Sequence, residues 1–153
     1  MELDDYKVEY NASKSAVTLC LNSCKDREVL KFSYTFSRTV DIDGQISGVP
    51  RGGKITLTVK ALNDGNNELL HWMLQPALPK GGQIKFSKRS DVGETMKSIE
   101  LVDAQCVEYT EDWEEKETKD GSNVLSSNTH TEKIVLSCRA IHNHAAIYAF
   151  TWE

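Results

Sequence analysis

The chain reads as mainly β, an antiparallel β-barrel or sandwich with one short flanking α-helix, in a single domain over residues 1–153. Three observations predict this. Strict alternation of apolar and polar residues recurs along the chain, turn residues fall at short intervals without a βαβ rhythm, and one segment alone carries helical spacing. The clearest alternation lies between Arg27 and Ala61, and the other elements are arranged around it. In its first half Leu30, Phe32, Tyr34 and Phe36 share a face against Lys31, Ser33, Thr35 and Ser37. In its second half Ile55, Leu57, Val59 and Ala61 oppose Thr56, Thr58 and Lys60.

Taken in order, the first dozen residues pair or fray, Val17 to Leu21 form an opening strand, and Asn22 to Asp26 turn into the long strand. The stretch from Val40 to Gly53 is far longer than the roughly 2 to 5 residues of a hairpin connection. Gly44, Gly48, Pro50, Gly52 and Gly53 make it loop-like. Such a stretch, from Val40 through Asp43 to Arg51 and beyond, is either mobile or docked, and Ile42 and Ile46, which avoid water, favour docking. Asn63 to Asn67 then supply turn and N-cap residues for a helix over Glu68 to Gln75. Its apolar face is Leu69, Leu70, Met73 and Leu74, extended by Trp72, and Pro76 and Pro79 stop it. Such a helix packs on the end or flank of a barrel.

Gln83 to Lys88 give a strand with Ile84 and Phe86 inward, and Ser90 to Glu94 turn. Met96 to Tyr109 make a long strand whose apolar set shifts from Ile99 and Leu101 to Val102, Ala104 and Cys106, the mark of a bulge or of burial on both faces. Residues 111–129 hold five acids before Asp120, then Gly121 and a Ser/Asn/Thr-rich run, and read as a polar loop. His130 to His142 and Ala146 to Trp152 complete the set, with Trp113 and Trp152 as core or interface anchors.

Composition bounds the function. A chain of 153 residues with 39% hydrophobic and 27% charged residues buries roughly 70% of its unfolded surface, enough for an ordinary core. The net charge of -5 and scattered Lys and Arg argue against nucleic acid as a partner, and no apolar run is long enough to insert in a membrane. The opening Met1-Glu-Leu-Asp-Asp5 carries acid where a secretory signal carries base, so cytoplasmic synthesis and free thiols at Cys20, Cys24, Cys106 and Cys138 are expected. Their spacing lacks the paired knuckles of structural zinc. No nucleophile elbow, phosphate-binding loop or metalloprotease motif occurs, so neither an enzyme nor a cofactor is expected. His142 and His144, near Cys138 and His130, are the one possible metal pair, and loop histidines at a strand end describe them better.

A set of segments in fixed order then carries a family resemblance: Phe32-Ser-Tyr-Thr-Phe36, Asp43-Gly44, Gly48 to Pro50, Arg51-Gly-Gly-Lys-Ile-Thr-Leu-Thr-Val59, Leu70-His-Trp-Met-Leu-Gln-Pro76, Gly82-Gln-Ile-Lys-Phe86, Met96-Lys and Asp103-Ala-Gln-Cys-Val-Glu-Tyr109. In order and spacing the chain resembles the Hcp (TssD) family, the tube protein of type VI secretion systems, and more closely its Bacteroidetes branch. Departures lie at Met1 to Lys25, in the acidic stretch after Trp113 and in Phe150-Thr-Trp-Glu153. The resemblance implies a structural protein whose hexameric rings stack into a hollow tube, secreted by the apparatus without a signal peptide. It implies sheath, spike and effector proteins as partners, and residues 40–53 as the contact to the adjacent subunit and the next ring. Two alternatives stand beside it: a small-molecule-binding β-barrel, opposed by the large inward side chains, and a phage-tail-tube-like structural protein.

Overall fold

A computed structural model describes residues 16–75, 78–88 and 91–149. The strands are β1 (Val17–Leu21), β2 (Arg27–Tyr34), β3 (Ser37–Val40), β4 (Ile46–Arg51), β5 (Lys54–Lys60), β6 (Lys80–Lys88), β7 (Asp91–Asp120), β8 (Asn123–Asn143) and β9 (Ala146–Ala149), with helix α1 (Glu68–Leu74) between β5 and β6. All pairings are antiparallel, as expected of short connections. The main sheet runs β5-β2-β1-β6-β7-β8-β9, and β8 also pairs with β5, from Lys54↔Ser137 to Lys60↔Thr131. That pairing closes six strands into a barrel. Closure leaves no open edge over that length and explains why Ile55, Leu57, Val59, Ile134 and Leu136 are fully buried at the seam.

The alternation in β5 is observed as predicted, but that in β2 is interrupted. The pairing of β2 with β5 shifts register between Val29 and Lys31, so Leu30 is 51% exposed while Val29 points inward. A bulge adds one residue and reverses every side chain before it. Phe32 and Tyr34 pack against the core, whereas Phe36, beyond the end of β2, lies outside it and is 39% exposed. In β7 the predicted shift is present: the pairing slips against β6 near Ala104 and against β8 between Cys106 and Glu108, with Asp103 at φ 48.

Helix α1 lies where predicted but turns a different face. Leu69 and Trp72 are buried and Leu74 is exposed, because Trp72 covers more apolar area than Leu74 and its Nε1 donates to the Leu78 carbonyl at 2.6 Å. Asn67 makes no side-chain cap; Asn66 Oδ1 instead accepts from the Glu68 amide at 3.0 Å. Gln75 is extended, the conformation favoured by a residue preceding proline.

Three loop expectations are corrected. Residues 111–129 are not a loop but a two-stranded ribbon, in which β7 and β8 stay paired from Asp112↔Thr131 to Asp120↔Asn123. Gly121, at φ 65, opens a two-residue turn at its tip, as a type II′ hairpin requires. Residues Asp91 to Glu94 already belong to β7 rather than to a turn. Residues 40–53 contain most of a separate β3-β4 hairpin. The opening dozen residues, Trp152 and the last part of the expected closing strand lie outside the described residues.

One polar cluster sits inside the seam. Arg27, 2% exposed, pairs with Glu132 and donates to the Lys60 carbonyl at 3.0 Å, and the Tyr109 hydroxyl donates to Glu132 at 2.5 Å. Burial first, and the Glu132 contact second, hold the Tyr109 hydroxyl well above its ordinary pKa. The cluster joins β2, β5, β7 and β8 at one point. Arg27→Met is expected to lower stability by about 3 to 5 kcal/mol in urea unfolding, since Glu132 is left as a buried unpaired charge. The double variant Arg27→Met/Glu132→Leu should recover most of that loss, and a single variant as stable as the parent would contradict the assignment.

Candidate docking site

The extended segment predicted to dock is a built element with a fixed tip. Asp41 organises it: its Oδ1 accepts from the Asp43 amide at 3.0 Å and the Gln45 amide at 2.9 Å, while its carbonyl accepts from Gly44 at 3.0 Å. Gly44, at φ 79, makes the turn that this arrangement needs. Ile42 is therefore presented fully exposed at the apex, and Val40, Ile46 and Val49 are exposed on the arms. Gly48, at φ 75, lies where the β3-β4 register slips between Ser37↔Arg51 and Thr39↔Ser47. Asp43, Pro50 and Arg51 are also exposed.

The hairpin is attached at one end of the barrel through Gly52 and Gly53. A Cβ on Gly52 would fall 2.3 Å from the Phe36 ring, and one on Gly53, at φ 86, would fall 3.1 Å from the Cys138 carbonyl. The Gly53 carbonyl in turn accepts from the Cys138 amide at 2.8 Å. Alongside runs an aromatic chain: Phe86 and Phe32 at 5.7 Å between centroids, Phe32 and Tyr34 at 5.2 Å, Tyr34 and Phe36 at 5.1 Å, and Phe36 and Tyr148 at 5.1 Å. Asn143 donates to the Tyr34 hydroxyl at 2.9 Å. Between hairpin and β9 this leaves an open, mainly apolar groove of about 730 Å³, lined by Tyr34, Phe36, Val49, Pro50, Ile147 and Tyr148 among others. The barrel interior itself is filled by the core, so this groove lies outside it.

The ten predicted site residues thus share one protrusion. Sequence reasoning missed the groove beside it, because Tyr148 and Ile147 come from a distant strand, and missed that the segment pairs with itself. The Val-Pro-Arg run opposite Ser37 to Val40 is irregular enough to hide the second strand. Trp113 is not a core anchor: it is 59% exposed on the ribbon.

The reactive groups lie elsewhere and apart. Burial pushes the Cys138 thiol up to about 12 and the Cys106 thiol up to about 11, and burial also raises Cys20 and Cys24. Thiols held protonated are poor nucleophiles and poor metal ligands. His142 Nδ1 is 3.9 Å from Glu100 and His144 is exposed; among the described residues no three His, Cys, Asp or Glu side chains converge on a metal position. Among the described residues, no helix is long and apolar enough to cross a membrane.

A family model described as hemolysin coregulated protein Hcp (TssD) matches residues 13–153. Among solved structures, Hcp1 from Flavobacterium johnsoniae is 30% identical with a TM-score of 0.69, over 88% of this chain and 98% of that one. A second Hcp protein, 13% identical, has a TM-score of 0.64 over 90% and 97% of the two chains. A variant of Hcp1 from the E. coli EAEC 042 pathovar, 14% identical, has a TM-score of 0.59 over 91% and 99%. The last two likenesses speak for the fold. No curated protein sequence matches.

The joint at Gly52 gives a direct test of how the hairpin is held. Gly52→Ala forces the Phe36 ring to move and should lower stability by about 1 to 3 kcal/mol, as overpacking does. Gly44→Ala, which meets nothing within 4 Å but keeps a positive φ, should cost about 1 kcal/mol. Thermal unfolding of the two variants checks the order, and equal effects would contradict it.

Proposed function

The chain belongs to the Hcp (TssD) family, the tube proteins of type VI secretion systems, and we propose that the β3-β4 hairpin is the element by which one copy docks on its neighbour. The observation that carries the reading is the hairpin tip. Ile42 is fully exposed, with Val40, Ile46 and Val49 exposed beside it, on a turn whose geometry Asp41 fixes from within. An ordered apolar protrusion on a soluble domain is costly unless covered, and a further copy of the chain is the partner that a tube supplies. Contacts that order little on binding lose little entropy, so a pre-formed hairpin suits repeated assembly.

In this reading six copies close a ring and rings stack. The filled barrel is the wall of the tube, and the family is structural rather than catalytic. Sheath, spike and effector proteins are the further partners, no nucleic acid or membrane takes part, and export proceeds through the secretion apparatus. The single domain is one unit of that wall. Arg51, exposed at the hairpin base, is placed to meet a carboxylate on the neighbour, worth little in water and a few kcal/mol once desolvated.

Replacing residues 40–53 by a tight Asn-Gly turn is expected to leave the barrel folded by circular dichroism, since loop length contributes weakly to stability. Sedimentation should show loss of rings or stacks, and Ile46→Asp should weaken assembly in the same direction. A shortened chain that forms rings and tubes as well as the parent does would remove the hairpin from the docking role.

A further inference from the structure

The ribbon of β7 and β8 beyond the barrel is a feature that the docking hairpin leaves unused. It leaves at the end of the barrel where β5 finishes, at Lys60↔Thr131, whereas the β3-β4 hairpin leaves at the end where β5 begins, at Lys54↔Ser137. Among the described residues, β6 stops pairing with β7 at Ala104 and β5 stops pairing with β8 at Thr131, so both edges of the ribbon are open. Residues 111–129 are all exposed, Trp113, Val124 and Leu125 with them. An isolated two-stranded ribbon is marginal in water, and an open edge carrying exposed apolar residues is usually covered.

Charge distinguishes the two ends. The ribbon strand of β7 carries Glu111, Asp112, Glu114, Glu115, Glu117 and Asp120 against Lys116 and Lys119. Glu111 is engaged by His130 at 2.6 Å and Glu115 by Ser126 at 2.8 Å, both within the ribbon on the Trp113 face. Asp112 and Glu114 lie on the opposite face. At the other end of the barrel Arg38, Arg51 and Lys54 are exposed around the hairpin base, while the hairpin's two carboxylates lie at its tip, Asp41 accepting from its own turn and Asp43 exposed.

We propose that the acidic β7-β8 ribbon is a second intersubunit arm, and that its occupant is the hairpin base of another copy of this chain, where Arg38, Arg51 and Lys54 are exposed. The contact joins unlike ends, so it propagates along one direction and does not close on itself as a two-fold contact would. Carboxylates on Asp112 and Glu114 face guanidinium groups on Arg38 and Arg51, and the exposed apolar residues of ribbon and hairpin are covered together. This inference rests on the tube reading and names the surface that receives the hairpin.

The test is a charge exchange on the full chain. Asp112→Lys/Glu114→Lys and, separately, Arg38→Glu/Arg51→Glu should each raise the concentration needed for end-to-end assembly about tenfold or more, the scale of a lost close charge pair. Circular dichroism should be unchanged, as every altered residue is exposed. Mixing the two reversed proteins should restore association between unlike partners, and raising salt should weaken the parent, since exposed pairs are screened. A parent that assembles while both reversals assemble equally well, or a mixture that shows no rescue, overturns the ribbon contact alone. A parent that stays monomeric at every concentration overturns the tube reading with it.

Discussion

The seam where β8 pairs with both β5 and β7 is the constraint on which the rest of the structure depends, and the Arg27-Glu132 pair sits in it. Removing two ions from water costs several kcal/mol each, and the pair offsets this only through near-complete hydrogen bonding. Glu132 receives both Arg27 and Tyr109, and Arg27 also satisfies the Lys60 carbonyl, leaving its buried Nε without a partner among the described residues. A shift of β8 by one residue would carry Glu132 to the outer face and Lys133 inward. The pair therefore sets the register that both closes the barrel and launches the ribbon.

From that register the two protrusions take opposite directions. At one end the chain passes from β4 to β5 through Gly52 and Gly53, a joint where side chains do not fit, so the hairpin lies against Phe36 and Tyr148. At the other end β7 and β8 run on past their last neighbours as an uncovered ribbon. A barrel with a filled interior has no need of either extension for its own stability. Both are exposed where a subunit of a tube wall would meet its neighbours, which is the role proposed for them.

Much of the barrel was legible from alternation. β5 reads cleanly because its inward residues Ile55, Leu57 and Val59 are buried in the closed seam and its outward threonines are not. β2 was half legible, since a bulge at Leu30 carries no composition signal and reverses the face. The ribbon was illegible because a strand exposed on both faces has no core side and therefore no alternation. The acids that spelled loop are what solvates it. The protruding hairpin was marked by its length and isoleucines, while its internal pairing and the neighbouring groove needed contacts between residues far apart in the chain, such as Phe36 with Tyr148. Arg27 and Glu132 escaped notice for a similar reason: a charged residue at a strand end reads as solvated until its partner on another strand is known.

The measurement that bears most directly on a tube subunit is electron microscopy of the purified full chain, read with its sedimentation profile. Six-fold rings with a central opening, stacking into short tubes as concentration rises, are expected. Uniform single barrels at every concentration and salt tried would contradict the assignment, whatever the fold.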